Sequence, residues 1–110
     1  MSKTYSNTID KCRVRYVVFC EEKVWYAAGL EFNIVESGDT PQEALLLLFE
    51  AMTGYIESAR KMKVRPTVLN QKADPEYEQL WTKSEQKKAV RWPIFTFGEM
   101  NLPMAAPAMA

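Results

Sequence analysis

The chain has 110 residues, a length that suits one small domain with a modest core and is too short for two. It carries 14 basic and 14 acidic residues and no histidine, so its formal net charge at pH 7 is zero. A zero net charge gives no overall attraction to nucleic acid or to an anionic membrane. The missing histidine excludes Ser-His and Cys-His nucleophile pairs and removes the commonest metal ligand, and the four isolated glycines form no phosphate-binding loop.

The N-terminal segment, residues 1–12, is polar and has no apolar stretch typical of a signal peptide. The longest apolar run, residues 44–49, is far shorter than the roughly 18 residues that a membrane helix needs. We therefore expect a soluble, cytoplasmic protein. Its predicted organisation is a flexible segment over 1–12, a single domain over 13–98 and a low-complexity, disordered tail over 99–110.

Two β-branched and aromatic runs, 13–20 and 24–32, are separated by charged residues and predict a β-hairpin. Alternation assigns one apolar face to the even positions of both runs, from Val14 to Leu30. The odd positions Val17, Phe19 and Trp25 then share the other face. Cys12 and Cys20 fall in the same predicted strand, about 26 Å apart at 3.3 Å per residue. This distance excludes a disulfide between them, and we interpret both as small apolar residues.

A third strand is predicted over 33–37, and a helix start follows it. Gly38 and Asp39 favour a turn, Thr40 can cap a helix, Pro41 suits its first position and Glu43 stands three residues after the cap. The periodic apolar pattern continues to about Met62. This pattern predicts a helix of some 22 residues, roughly 33 Å long at 1.5 Å per residue.

Beyond residue 63 the pattern predicts an extended connector, a second helix and a last strand. Asp74 and Pro75 repeat the cap and proline, and the second helix is expected to reach about Lys88. Residues 89–97 alternate in part, and Pro93 confines this final strand to an edge or a bulge. The predicted fold class is α+β: a small antiparallel sheet in the order β-β-β-α, then a shorter helix and a final edge strand, with the long helix packed across the sheet.

The long helix has an apolar face and an acidic face at 100° per residue. The predicted core face holds Ala44, Leu45, Leu48, Phe49, Ala51, Met52, Tyr55, Ile56, Ala59 and Met62. Gly54 costs about 1 kcal/mol relative to alanine in a helix, which is usually offset by a close approach. The candidate partner-binding residues are Glu43, Leu46, Leu47, Glu50, Gly54 and Glu57. The alternatives are that the glutamates form a solvated face and that the two leucines are covered within the chain or simply exposed.

Self-association as a homodimer is also expected. The candidate residues are Val17, Phe19 and Trp25 on the odd face of the hairpin, or else Leu46 and Leu47 on the long helix. No cofactor, metal site or catalytic residue is predicted, because the 14 acids fall in no recognisable ligand pattern.

Charge is unevenly distributed along the chain. Residues 21–57 contain eight acids and one lysine, whereas residues 58–72 contain five bases and no acid. The basic segments 60–65 and 83–91, with aromatic residues up to position 97, favour a second hypothesis, a nucleic-acid-binding regulator. No helix-turn-helix or RNP-like motif supports it, and the same cations would also complement the dipoles at two helix ends.

The order of strands and the turn that opens the helix resemble the HicB-like antitoxin family. The resemblance rests on Tyr16 to Val18 in the first strand and Trp25 to Ala28 in the second, and on a Gly-Asp-Thr-x-x-Glu-Ala turn. It covers about residues 13–62, where the turn and helix matches are Gly38, Asp39, Thr40, Glu43, Ala44, Leu45, Leu48, Glu50, Ala51 and Tyr55.

The resemblance implies a partial ribonuclease-H-like fold and a non-catalytic domain of a toxin-antitoxin system, which neutralises HicA, a small basic mRNA-cleaving toxin, by protein contact. The acidic region 21–57 fits this implication, since it would attract a basic surface. The chain departs from the family pattern in two places. Residues 29–33 lack the usual stretch with proline and glycine, and residues 63–110 show no DNA-binding motif. Ribonuclease H chemistry is not expected, because the strands present Arg13, Arg15 and aromatic residues instead of converging carboxylates.

Overall fold

The computed structural model describes residues 7–8, 11–63, 65–87 and 92–102. Four strands form one antiparallel sheet: β1 (Cys12–Glu21), β2 (Val24–Gly29), β3 (Ile34–Gly38) and β4 (Ile94–Leu102). The helices are α1 (Pro41–Met62) and α2 (Pro75–Lys87), and a 3-10 turn, Pro66–Leu69, lies between them. The strand order is β3-β2-β1-β4, which confirms the predicted α+β fold and the edge position of the final strand.

The turn between β1 and β2 contains two residues, Glu22 and Lys23, both with positive φ. Such two-residue turns match the twist of a hairpin. Because Glu21 pairs with Val24, odd positions of β1 lie opposite even positions of β2. The predicted faces were therefore wrong: Trp25 does not share a face with Val17 and Phe19, since a two-residue turn reverses the parity of the second strand.

Helix α1 covers one face of the sheet. Its buried residues pack with the even side chains of β1, with Ala27 of β2 and with Phe32, which follows that strand. The completely or nearly completely buried helix residues are Ala44, Leu48, Met52, Ile56 and Ala59. The sequence predicts Met62 for the same face, but this prediction is wrong: the side chain is 71% exposed at the last residue of α1.

Helix α2 covers the other face of the sheet. Trp81 is 7% exposed and packs edge to face on Phe97, with ring centroids 5.5 Å apart. Phe19 stacks on Tyr26 and lies beside Tyr77 of α2. The sheet is therefore apolar on both faces, and each helix buries one of them.

The N-terminal segment contributes a buried polar anchor. The backbone N–H of Asn7 donates to Asn70 Oδ1 at 3.0 Å, and Asn70 Nδ2 donates back to the Asn7 carbonyl at 3.1 Å. Asn7 Nδ2 also donates to the Leu69 carbonyl, and Cys12 opens β1 as a buried residue. The predicted flexible segment 1–12 was thus wrong at these positions, while residues 1–6 and 9–10 lie outside the described part.

The predicted tail also began too early. Strand β4 continues to Leu102, which pairs with Cys12 and is buried, so residues 99–102 belong to the sheet. Residues 88–91 and 103–110 lie outside the part of the chain that is described. Within that part, no helix is long and apolar enough to span a membrane.

Candidate protein-binding surface

Helix α1 begins with a set of local hydrogen bonds that orient its first turn. Thr40 is in an extended conformation, and its Oγ1 accepts from the backbone N–H of Glu43 at 3.0 Å. Glu43 in turn accepts from the backbone N–H of Asp39 at 2.6 Å. Two N–H groups at the helix start are thereby satisfied. The carboxylate of Glu43 is therefore engaged in the turn, although the side chain remains exposed.

The six candidate partner-binding residues lie on one outward surface, which we call the α1 outer face: Glu43, Leu46, Leu47, Glu50, Gly54 and Glu57. At 100° per residue they span an arc of roughly 100°, opposite the buried stripe of the same helix. All are exposed except Leu47, which is half-buried. The structure thus brings the predicted residues together along one side of a single helix.

Glu50 and Glu57 give the α1 outer face its charge. Both are exposed, and no ion pair between described residues involves either one. They are separated by two turns, roughly 10 Å along the axis. The last turn carries Arg60 and Lys61, so the helix is acidic along its length and basic at its end, an order that complements its dipole.

Leu46 lies on the flank of the α1 outer face that borders β4. It is 58% exposed. Together with Gln42, Leu45, Phe49 and Met100 it lines an open groove of about 470 Å³. We call this the β4 groove, and its walls are almost entirely apolar except for Gln42. The sequence indicates Leu46 as a candidate but not Met100, because residue 100 falls in the predicted tail.

Gly54 faces open space within the described part of the chain. A Cβ built on Gly54 would meet no atom within 4 Å. The glycine therefore serves no close approach between α1 and the rest of the fold. Since it lies between Glu50 and Glu57, the helix backbone is open to solvent at the centre of the acidic surface.

The candidate self-association residues are not on one surface. Val17 is fully buried and Phe19 is 4% exposed, both in the cluster beneath α2. In the folded chain, intrachain packing thus covers both side chains. Trp25 lies on the α1 side of the sheet and is half-buried.

Trp25 belongs to an aromatic group that the sequence did not predict as a site. Its ring meets Trp92 and Phe95 edge to face, with centroids 6.0 and 5.9 Å away. Trp92 is 77% exposed and Phe95 is 43% exposed. A register shift of β4 between Val18 and Phe19 leaves Phe95 outside the regular pairing. Simple alternation along a strand does not predict such a bulge.

The basic segments are only partly described. Arg60, Lys61, Lys63 and Arg65 are exposed at the C-terminal end of α1 and beyond it. In the second segment, Lys83 is exposed, while the side chains of residues 86–91 lie outside the description. Trp25 pairs with Gly38, close to the start of α1. The exposed aromatic group thus lies near the opposite end of the helix from residues 60–65, roughly 30 Å away at 1.5 Å per residue.

Among the described residues, no group of three Cys, Asp or Glu side chains is arranged to hold a metal ion. Comparison of the chain with protein-family models, curated proteins and solved structures finds no match.

Proposed function

We propose that the protein is a non-catalytic, cytoplasmic binding domain whose α1 outer face contacts a small basic protein. The observation that carries the proposal is the pair of exposed glutamates, Glu50 and Glu57, on either side of Gly54 on one helix surface. Carboxylates that form no ion pair with another described residue attract a basic surface over about 8 Å at physiological salt. Leu46 and Leu47 flank this acidic surface and provide apolar contact beside the charges.

The HicB-like resemblance of residues 13–62 supports an antitoxin as the specific form of this function. In that form the partner is a ribonuclease toxin, and binding neutralises it by covering its basic surface. The fold is compatible with the proposal, because a sheet covered by helices on both faces leaves the exterior of α1 as a rigid recognition surface.

The test is co-expression with the product of a neighbouring gene that encodes a small basic protein, followed by co-purification and isothermal titration. The double variant Glu50→Lys, Glu57→Lys should weaken binding by at least tenfold. Its matched control is Glu22→Lys, Glu85→Lys, which changes net charge equally at exposed positions elsewhere and should bind within about threefold of the unmodified chain. The proposal fails if both double variants bind alike, or if no small basic neighbour binds.

The second hypothesis, a nucleic-acid-binding regulator, is favoured by the exposed Arg60, Lys61, Lys63 and Arg65. These four side chains follow one another within six residues, and no acid lies between residues 58 and 72. Binding through them would weaken steeply with salt. Retention on heparin that falls with salt, and is lost when Lys61, Lys63 and Arg65 are replaced by glutamine, would support it. Retention that is unaffected by the replacement would contradict it.

A further inference from the structure

We propose that the outer edge of β4 pairs with the same edge of a second copy of the chain, giving a sheet that continues through a two-fold axis. The proposal is independent of any basic partner at the α1 outer face. It rests on the direction of the backbone groups in β4, on the position of β4 as the last strand of the sheet among the described residues, and on the position of the apolar side chains beside that edge.

The hydrogen bonds of β1 show which backbone groups of β4 point outward. The Leu30 N–H donates to the Arg15 carbonyl at 2.8 Å. The odd residues of β1 therefore direct their backbone N–H and C=O groups toward β2, and the even residues direct theirs toward β4. The Cys20 N–H donates to the Pro93 carbonyl at 2.9 Å, in agreement with this alternation. The β4 partners of the even residues are Thr96, Gly98, Met100 and Leu102. The residues between them, Phe97, Glu99 and Asn101, direct their N–H and C=O groups away from the described sheet.

Strand β4 has one bulge, at Phe95, beyond which residues 96–102 pair regularly with β1, but it has little of the short length, charge and proline that also protect free edges in monomeric proteins. The opposite edge has some of them, because β3 has only five residues and carries Glu36. Strand β4 has nine residues, and its single charge, Glu99, lies 3.6 Å from Arg13 of the same chain. Pro93 precedes the strand and removes no N–H from it.

Full overlap of two antiparallel β4 strands places Gly98 on the two-fold axis. Glu99 then lies opposite Phe97 of the second copy and does not meet its own equivalent, so no like charges face each other. Phe95, which the bulge places on the α1 side, comes beside the end of the second copy's β4, near Met100. Since Phe95 and Met100 are both on the α1 side of the sheet, each copy brings exposed aromatic residues to the β4 groove of the other.

This arrangement favours a second copy as the occupant of the edge. A two-fold interface requires one surface to complement itself, with each contact made twice. The β4 edge meets this requirement, because exposed Trp92 and Phe95 lie at its start and the β4 groove lies toward its end.

The test is amide hydrogen exchange by NMR on the unmodified chain over a range of concentrations, with sedimentation velocity on the same samples. The amides of Phe97, Glu99 and Asn101 should become protected as the dimer fraction rises. By the same alternation, Val35 and Ser37 of β3 direct their backbone N–H groups away from β2. Their amides should exchange rapidly at every protein concentration. A monomer at all concentrations would overturn the proposal, as would a dimer with unprotected β4 amides. Protection that does not vary with concentration would also overturn it, because the cover would then come from the same chain.

A pair of variants separates the backbone contribution from that of the side chain. Glu99→Pro removes an outward N–H from each copy and should raise the dimer Kd by about tenfold or more. Glu99→Ala loses the same carboxylate but keeps the N–H, and should dimerise as the unmodified chain does. Equal dimerisation of the two variants would contradict edge pairing. Circular dichroism checks the fold of Glu99→Pro, and the exchange experiment remains decisive if that variant does not fold.

The double variant Glu50→Lys, Glu57→Lys should still dimerise, which distinguishes this proposal from the proposed function.

Discussion

Arg15 Nη2 donates to Glu78 Oε2 at 2.7 Å and so joins β1 to α2 across 63 residues of sequence. The same guanidinium donates through Nε to Glu31 Oε2 at 2.6 Å and lies 5.6 Å from the centre of the Trp81 ring. Burial acts to lower the pKa of Arg15, but its hydrogen bonds with Glu78 and Glu31 outweigh burial and raise it. The sequence pattern predicts only a polar residue at the start of a strand at Arg15, whereas in the structure Arg15 links the sheet to α2.

Replacement of Arg15 by alanine should destabilise the fold by about 2 kcal/mol, because two partly buried carboxylates lose their common partner. Arg13→Ala is the matched control. It lies two residues earlier on the same face of β1, and its ion pair with Glu99 is largely exposed, so its loss should cost less than about 0.5 kcal/mol. Urea denaturation measures both. Equal effects would show that the network around Arg15 is no stronger than a surface pair.

Gly54→Ala should stabilise the free protein by about 0.5–1 kcal/mol, because the new methyl group meets no atom and alanine favours a helix. Thermal unfolding measures the change. The control is Gly38→Ala, where the added Cβ would lie 2.9 Å from the backbone nitrogen of Ala44, and this variant should be destabilised. If a partner approaches the α1 outer face closely at Gly54, the stabilised variant should bind it more weakly. Unchanged binding would place the contact elsewhere on the helix.

Thr40→Ala should cost about 1 kcal/mol of stability, because the Glu43 N–H loses its acceptor at the start of α1. Thr53→Ala within the same helix is the control. Alanine has the higher helix propensity, and Thr53 makes no hydrogen bond through its side chain among those found for the described residues. Thr40→Ala should lower the melting temperature, whereas Thr53→Ala should leave it unchanged or raise it slightly. An equal decrease for the two variants would indicate that the cap is not a distinct source of stability.

The two thiols should differ in reactivity toward a thiol reagent at neutral pH. Burial raises the pKa of Cys12, which is 1% exposed. Its reactive thiolate is therefore rarer and less accessible than that of a solvent-exposed cysteine. Cys20 is half-buried at the end of β1. We expect the Cys20 thiol to be modified rapidly and the Cys12 thiol only on unfolding. Cys20→Ser should remove the fast phase and leave the slow one, and the opposite assignment would contradict the burial of Cys12.

The sequence by itself was sufficient to predict the elements whose limits depend on local chemistry. Helix α1 begins at Pro41 and ends at Met62 as expected, because a threonine cap and a proline in the first turn act within a few residues. The start of α2 at Pro75 followed from the same chemistry. The outward position of Glu43, Glu50 and Glu57 followed from helical periodicity alone, since seven residues are close to two turns.

Only the tertiary structure decided how these elements cover one another. The two-residue turn at Glu22 and Lys23 determined which side of the hairpin holds Trp25, and α2 then covered Val17 and Phe19. The burial of Asn7 against Asn70 and the continuation of β4 to Leu102 depend on partners far along the chain. Local pattern does not encode such contacts, because their free energy is gained only when distant segments meet.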